Sequence, residues 1–198
     1  MLILMCNVGS TSLKFKLYRM PQEDLLVEGK IERVGSTKGS IYEYINESKD
    51  VYFKKEEVSI PDYEAGISLF IKDLTDSQRG GINAVTELSA IGFKTVCAGK
   101  ISGTQLLTDA VINAMEEYIP VAPLHILFYV EAIKFFKVLL PSTPLIGVFE
   151  TGYHQTIPLK ARIYGTPYSW YEQYGIQKYG FHGSSHQYVA SRIKSLKG

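Results

Sequence analysis

Cysteine is nearly absent: Cys6 and Cys97 are the only two in 198 residues. Their spacing makes neither a disulfide framework nor a metal-binding pair, and so sparse a use of thiols fits a reducing cytoplasm. A surplus of charge of either sign is also missing. The 21 basic side chains nearly balance the 20 acidic ones, for a net charge of +1. That removes the electrostatic ground for expecting nucleic acid or an anionic membrane as a partner. No apolar run reaches the length of a transmembrane helix, so no membrane partner is expected. The amino terminus lacks the basic segment and small-residue cleavage site of a signal peptide, so secretion is not expected either. Internal repeats, low-complexity tracts and Gly/Ser- or Pro-rich linkers are all lacking. What remains is an ordinary globular composition, 45% apolar and 21% charged, in a chain long enough for one large domain or two small ones. The 14 tyrosines are scattered and read as packing, not as a stacking platform.

The first stretch organises the rest. Met1 to Met5 is a short apolar run that reads as a buried strand. Asn7, Gly9, Ser10, Thr11 and Ser12 then crowd into a turn. A second strand follows with Leu13, Phe15 and Leu17 on one face and Lys14, Lys16 and Tyr18 on the other. A hydroxyl-rich, Gly-containing turn between strands can bring backbone N–H groups and hydroxyls close to a phosphate. The same residues are equally those of a plain hairpin turn.

Further strands are expected over Asp24 to Val34, Ser40 to Tyr44 and around Val51 to Phe53, with Glu47 to Glu57 forming a solvated hairpin. Pro61-Asp62 opens a helix with Ile67, Phe70, Ile71 and Leu74 on one side. Ala90 to Cys97 reads as a buried strand, and Thr108-Asp109 caps a helix. A second, more apolar helix runs from Pro123 until Pro141 stops it. Pro144 to Phe149 is a strand. It runs into Glu150 to Gln155, a polar cluster at a strand's carboxyl end, where α/β sheets place ligands. Tyr179 to Gly183 is a tight turn, and Ser184 or Ser185 caps a last helix ending near Leu196.

Four motifs stand in order: Asn7-x-Gly-Ser-x-Ser-Leu-Lys14, Ala122-Pro-Leu-His125, Phe149-x-Thr-x-x-His-Gln-Thr156 and Tyr179-Gly-Phe-His-Gly-x-Ser-His186. Pro167-Tyr168 and Tyr171-Glu-x-Tyr-Gly175 stand between the last two. Together they resemble the acetate kinase family over essentially the whole chain, closer to its acetate and propionate branch than to the butyrate kinases. The resemblance implies an α/β fold of the actin/sugar-kinase/heat-shock ATPase, ribonuclease H-like type, with a mixed sheet flanked by helices. Residues 1–150 would form the amino-terminal lobe and 151–198 the beginning of a second, incomplete one, joined by a hinge. The implied activity is phosphoryl transfer between ATP and a short-chain carboxylate, with Mg2+, giving an acyl phosphate. Asn7, Ser10, Ser12 and Lys14 would bind the phosphates. His125 and His182 would hydrogen-bond the transferring group. Val96, Leu124 and Phe181 would line the pocket for the acid's methyl end, and Glu150 with Asn7 would hold the metal. His154 and His186 match the motifs and read as structural.

Several residues depart from the family pattern at the chemistry. In Gly92-Phe-Lys-Thr-Val-Cys-Ala-Gly99, Lys94 takes the place of an arginine, and Phe93 and Cys97 the places of two histidines. Lysine is a mobile point charge where arginine offers a planar fork. Glu150 takes the place of an aspartate, moving a carboxylate by one bond length. Ile126 and Leu127 follow His125 where Asn-Pro is usual. The family's proteins are about twice this length, and their second phosphate loop, base site, second arginine and metal-associated glutamate lie beyond the matched region. A polypeptide of these residues alone is therefore expected to bind weakly and not turn over. Two alternatives follow, a noncatalytic binding module descended from the kinase and one half of a split kinase. Lys94, Phe93, Cys97 and Glu150 together favour the former of these two. The expected partners are a short-chain carboxylate or acyl phosphate, and either a second copy or a separate carboxyl-terminal lobe.

Overall fold

A computed structural model describes residues 1–120 and 123–197. Eight strands form one sheet in the order β5-β4-β3-β2-β1-β6-β8-β7. β1 (Leu2–Gly9) and β2 (Ser12–Arg19) pair antiparallel, as their alternation predicts, and β3 (Asp24–Glu32), β4 (Ser40–Asn46) and β5 (Val51–Val58) extend this meander. On its other side β1 runs parallel to β6 (Leu88–Thr95), and β6 runs parallel to β8 (Leu145–Phe149).

Period-two patterning decides which face is covered. Leu4, Cys6 and Val8 of β1 and Leu13, Phe15 and Leu17 of β2 are buried under α1 (Tyr63–Leu74) and α3 (Pro123–Leu139). α1 starts where Asp62 accepts from the Ala65 N–H at 2.8 Å, and it buries Ile67, Phe70, Ile71 and Leu74. Phe70 stacks flat on Phe15, with ring centroids 4.1 Å apart. That stack sits over Gly29 of β3, where a Cβ would come within 2.4 Å of the Phe70 ring. α2 (Asp109–Glu117), capped by Thr108, lies beside α3, with ion pairs from Glu116 to Lys134 and from Asp109 to Lys137.

Two findings go beyond the pattern reading. β7 (Gly103–Leu106) forms one edge of the sheet, pairing antiparallel with β8. Its four residues show no apolar alternation to announce it. The last helix, α6 (Gly183–Lys197), begins before the two serines expected to cap it. Between β8 and α6 the chain makes a 3-10 turn over Gly152–Thr156 and two short helices, α4 (Leu159–Arg162) and α5 (Tyr168–Tyr174). α6 approaches the sheet face opposite α1 and α3. There its Tyr188 joins Ile3, Met5 and Tyr18 around a cavity of about 460 Å³.

Candidate functional site

The parallel strands β1, β6 and β8 end at one edge. Asn7 sits near the end of β1, one residue past the last pairing with β6, Cys6 to Phe93. Lys94 is next on β6 and pairs with Val148 on β8. Glu150 follows β8 directly, and its N–H bonds the Thr95 carbonyl at 3.0 Å. Three polar residues expected at the site therefore share the carboxyl edge of the parallel strands, the ligand position of open α/β sheets.

Glu150 is the centre of this group. Its side chain is only 5% exposed, whereas that of Lys94 is 43% exposed. The Lys94 Nζ stands 3.1 Å from Glu150 Oε1, and the His182 Nδ1 stands 3.6 Å from the same atom. The Lys94 contact has ion-pair distance but not hydrogen-bond direction, and Oε1 remains a buried oxygen with no hydrogen-bond partner. A buried carboxylate of this kind is costly unless a cation offsets it.

His182 reaches Glu150 because of how α6 begins. The Gly183 N–H donates to the Glu150 carbonyl at 2.9 Å. A Cβ on Gly183 would lie 2.2 Å from that carbonyl oxygen, so only glycine allows the approach. His182 itself has φ of 58°, in the left-handed region that non-glycine residues seldom occupy. The neighbouring His154 has Nε2 3.3 Å from the Phe181 carbonyl and rests its ring near that of His186, with centroids 5.8 Å apart.

The remaining expected residues are placed as follows. Ser10 lies exposed in the β1–β2 turn. Ser12 opens β2 opposite Gly9, and Lys14 is the cross-strand partner of Asn7. His125 stands exposed in the first turn of α3 and makes no hydrogen bond among the described residues. Val96 is half-buried against the core, and Phe181 is exposed beside His182. The Leu124 side chain lies outside the described residues. Sheet register and ion-pair distances thus bring Asn7, Lys14, Lys94, Glu150 and His182 to one edge of the sheet.

Two residues at this edge carry no signal in the sequence. The Tyr129 hydroxyl donates to Asn7 Oδ1 at 3.0 Å, and the Tyr63 hydroxyl donates to the Gly9 carbonyl at 2.7 Å. Burial, with the charges of Cys6 and Glu150 adding, holds the Tyr129 phenol well above its usual range. Burial, helped by Glu131, pushes that of Tyr63 up to about 12. Burial also raises both thiols, Cys6 and Cys97. Both tyrosines sit at apolar positions of helical patterns, where an aromatic reads as core.

The chain is 40% identical over 197 residues to an acetate kinase of Bacillus cytotoxicus, covering 99% of this chain and 48% of that protein. The crystal structure of Porphyromonas gingivalis acetate kinase superposes with a TM-score of 0.87 at 33% identity, covering 98% of this chain and 48% of that one. The structure of a propionate kinase from Francisella tularensis gives 0.85 at 30% identity, covering 98% and 49%. The chain therefore spans about half the length of the relatives it matches. A family model described as the acetokinase family matches residues 2–198, and the chain belongs to that family.

Proposed function

We propose that this chain carries part of an acetate kinase-like site, which moves a phosphoryl group between ATP and a short-chain carboxylate such as acetate. The observation that supports this reading is the meeting of Asn7, Lys94, Glu150 and His182 at the carboxyl ends of parallel strands. A phosphoryl group in flight spreads negative charge over its oxygens, so its transfer depends on positioned cations and donors. Lys94 supplies the cation. His182 and His125 hydrogen-bond the transferring group. Asn7, Ser10, Ser12 and Lys14 hold the nucleotide's outer phosphates. Val96, Leu124 and Phe181 bound the methyl end of the acid.

Mg2+ belongs to this chemistry, where it neutralises charge on the phosphates. Glu150 fits such an ion: its Oε1 is buried and unbonded, and magnesium takes one or two carboxylates beside phosphate and water. The family resemblance adds Asn7. Lys94, 3.1 Å from Oε1, would compete with an ion held there.

We place residues 1–150 in one lobe and 151–198 at the opening of a second, hinged to it. Among the described residues, twelve large apolar side chains between Tyr153 and Leu196 are exposed, against seven in residues 1–150. This supports a surface that other polypeptide covers. A reducing, cytoplasmic setting agrees with the two free, buried cysteines. As an alternative to this reading, Lys94, Phe93, Cys97 and Glu150 favour a noncatalytic binding module over one half of a split kinase, and two of them, Phe93 and Cys97, have a visible packing role. Both are buried, Phe93 against Phe136 at 5.6 Å, so these two positions do packing work and offer no polar group to a ligand.

A polypeptide of residues 1–198 alone is expected to form no measurable acetyl phosphate in a coupled assay, because half the length of the active relatives is absent from it. Adding the remaining half of a relative in trans is expected to give weak turnover, raised further by Lys94→Arg with Glu150→Asp. Turnover by residues 1–198 alone at the rate of an ordinary metabolic kinase, abolished by His182→Ala, would contradict this division of labour.

A further inference from the structure

β1 reaches the site with two of its polar groups held from the helical layer. Tyr129 comes from α3 and bonds Asn7; Tyr63 comes from α1 and bonds Gly9. The two helices pack together there, with the Tyr63 and Phe128 rings 5.4 Å apart, so both contacts stand on one layer. We infer that Tyr129 and Tyr63 are positioning residues that turn two donors, the Asn7 carboxamide NH2 and the Ser10 backbone N–H, toward a phosphate-class anion at the β1–β2 turn. This rests on the reading of that turn as a phosphate site.

For Asn7 the argument turns on one proton. Rotating a primary amide by half a turn exchanges its oxygen and its nitrogen. Tyr129 is buried, and its phenol, like any tyrosine's at neutral pH, carries its proton. Its proton needs an acceptor, and Oδ1 of Asn7 is the one it has among the described residues. With the amide reversed, NH2 would meet the phenol oxygen and the phenolic proton would be buried without an acceptor, which is the costlier arrangement. Oδ1 therefore faces Tyr129, and NH2 faces the open side. Asn7 is exposed there, with Lys14 directly across the ladder.

For Ser10 the argument is the peptide plane. In a trans peptide the carbonyl and the following N–H point in opposite directions. Tyr63 draws the Gly9 carbonyl toward α1, so the Ser10 N–H points away from it. That N–H has no acceptor among the described residues. The amide NH2, the Ser10 N–H and the Lys14 ammonium then form a donor set suited to phosphate oxygens. In this set Asn7 is a donor to the anion, so the magnesium role that the family resemblance gives it is withdrawn and Glu150 alone is kept as the metal ligand from this chain.

The test uses the 15N-labelled chain titrated with inorganic phosphate and, separately, with Mg2+. Phosphate is expected to shift the Asn7 side-chain NH2 and Ser10 amide resonances together. Tyr129→Phe keeps the ring and removes only the hydroxyl. It should weaken phosphate binding about two- to tenfold, the weight of one neutral hydrogen bond, and randomise the Asn7 NH2 signals while the core resonances stay in place. Tyr63→Phe should do the same at Ser10. Asn7→Asp should abolish phosphate binding and leave Mg2+ affinity unchanged. It decides the question even where a tyrosine variant proves unstable. Wild-type phosphate affinity in folded Tyr129→Phe overturns the positioning role alone. So does an Asn7→Asp chain that binds Mg2+ more tightly, since that is the behaviour of an oxygen ligand. A wild-type chain whose Asn7 and Ser10 signals ignore phosphate overturns the phosphate reading of the turn, and the positioning role with it.

Discussion

At the scale of single residues, the unusual feature is an ion pair with one partner in water and one out of it. Glu150 is 5% exposed and Lys94 is 43% exposed, so water screens the lysine more than the carboxylate. Breaking a fully buried pair from one side costs about 3–5 kcal/mol; here solvent can reach the vacated space, and the loss should be smaller. Lys94→Ala is expected to destabilise the chain by about 1–2 kcal/mol. Glu150→Gln should cost less, because it removes the buried charge itself. The double variant should then be more stable than the sum of the single losses implies, since the two effects share one interaction. Urea unfolding of the four proteins measures this directly, and strict additivity would show that Lys94 does not neutralise Glu150 in solution. The same residue pair carries a functional consequence. If Glu150 holds Mg2+ as proposed, Lys94 competes for Oε1, and Lys94→Ala is expected to tighten Mg2+ binding even as it lowers stability.

At the scale of elements, most of the sheet could be read from alternation, and the helices from caps. Asp62 and Thr108 sit where a helix start needs an acceptor, and both accept from the N–H three residues on. β7 could not be read that way. Its residues pair with β8 at the edge of the sheet, a tertiary placement that leaves no trace in the pattern of Gly103 to Leu106. The site was legible in part for the same kind of reason. Asn7, Glu150 and His182 announce themselves by motif, but the bond from Tyr129 to Asn7 joins residues 122 apart in the chain. Nothing local to Tyr129 distinguishes it from Phe128 or Phe135. Gly29 shows how closely the elements fit. With 2.4 Å between its imagined Cβ and the Phe70 ring, Gly29→Ala must push that ring off Phe15. Overpacking of this sort costs about 1–3 kcal/mol. Thermal unfolding should show the loss, and combining the variant with Phe70→Leu, which vacates the space, should recover part of it. An unshifted melting temperature for Gly29→Ala would mean that α1 rides more loosely on the sheet than the stacked rings indicate.

At the scale of the whole molecule, the distribution of apolar surface is uneven. The sheet and the helices α1, α2 and α3 enclose a continuous core, whereas α6 buries only Gly183. Tyr188, Val189, Ile193 and Leu196 are 53–75% exposed along that helix, and Tyr168, Trp170 and Tyr174 are exposed on α5. Monomeric proteins seldom leave apolar side chains so concentrated in water. The relatives offer the reason for it: each is about twice the matched length, so in them other polypeptide is available to cover this surface. On the proposed reading, polypeptide from the remaining half of the family's length covers this surface, and self-association replaces it in residues 1–198 alone. A polypeptide of residues 1–198 should therefore associate with itself at tens of micromolar, measured by light scattering. Charged replacements at Val189 and Ile193 should return it to a monomer without lowering its unfolding temperature, because those side chains contribute nothing to the core. Adding the other half of a related kinase should compete with self-association and protect α6 from proteolysis. A wild-type chain that stays monodisperse and monomeric at that concentration, with α6 already resistant to protease, would mean that the helix finds cover within residues 1–198 and that no second polypeptide is needed.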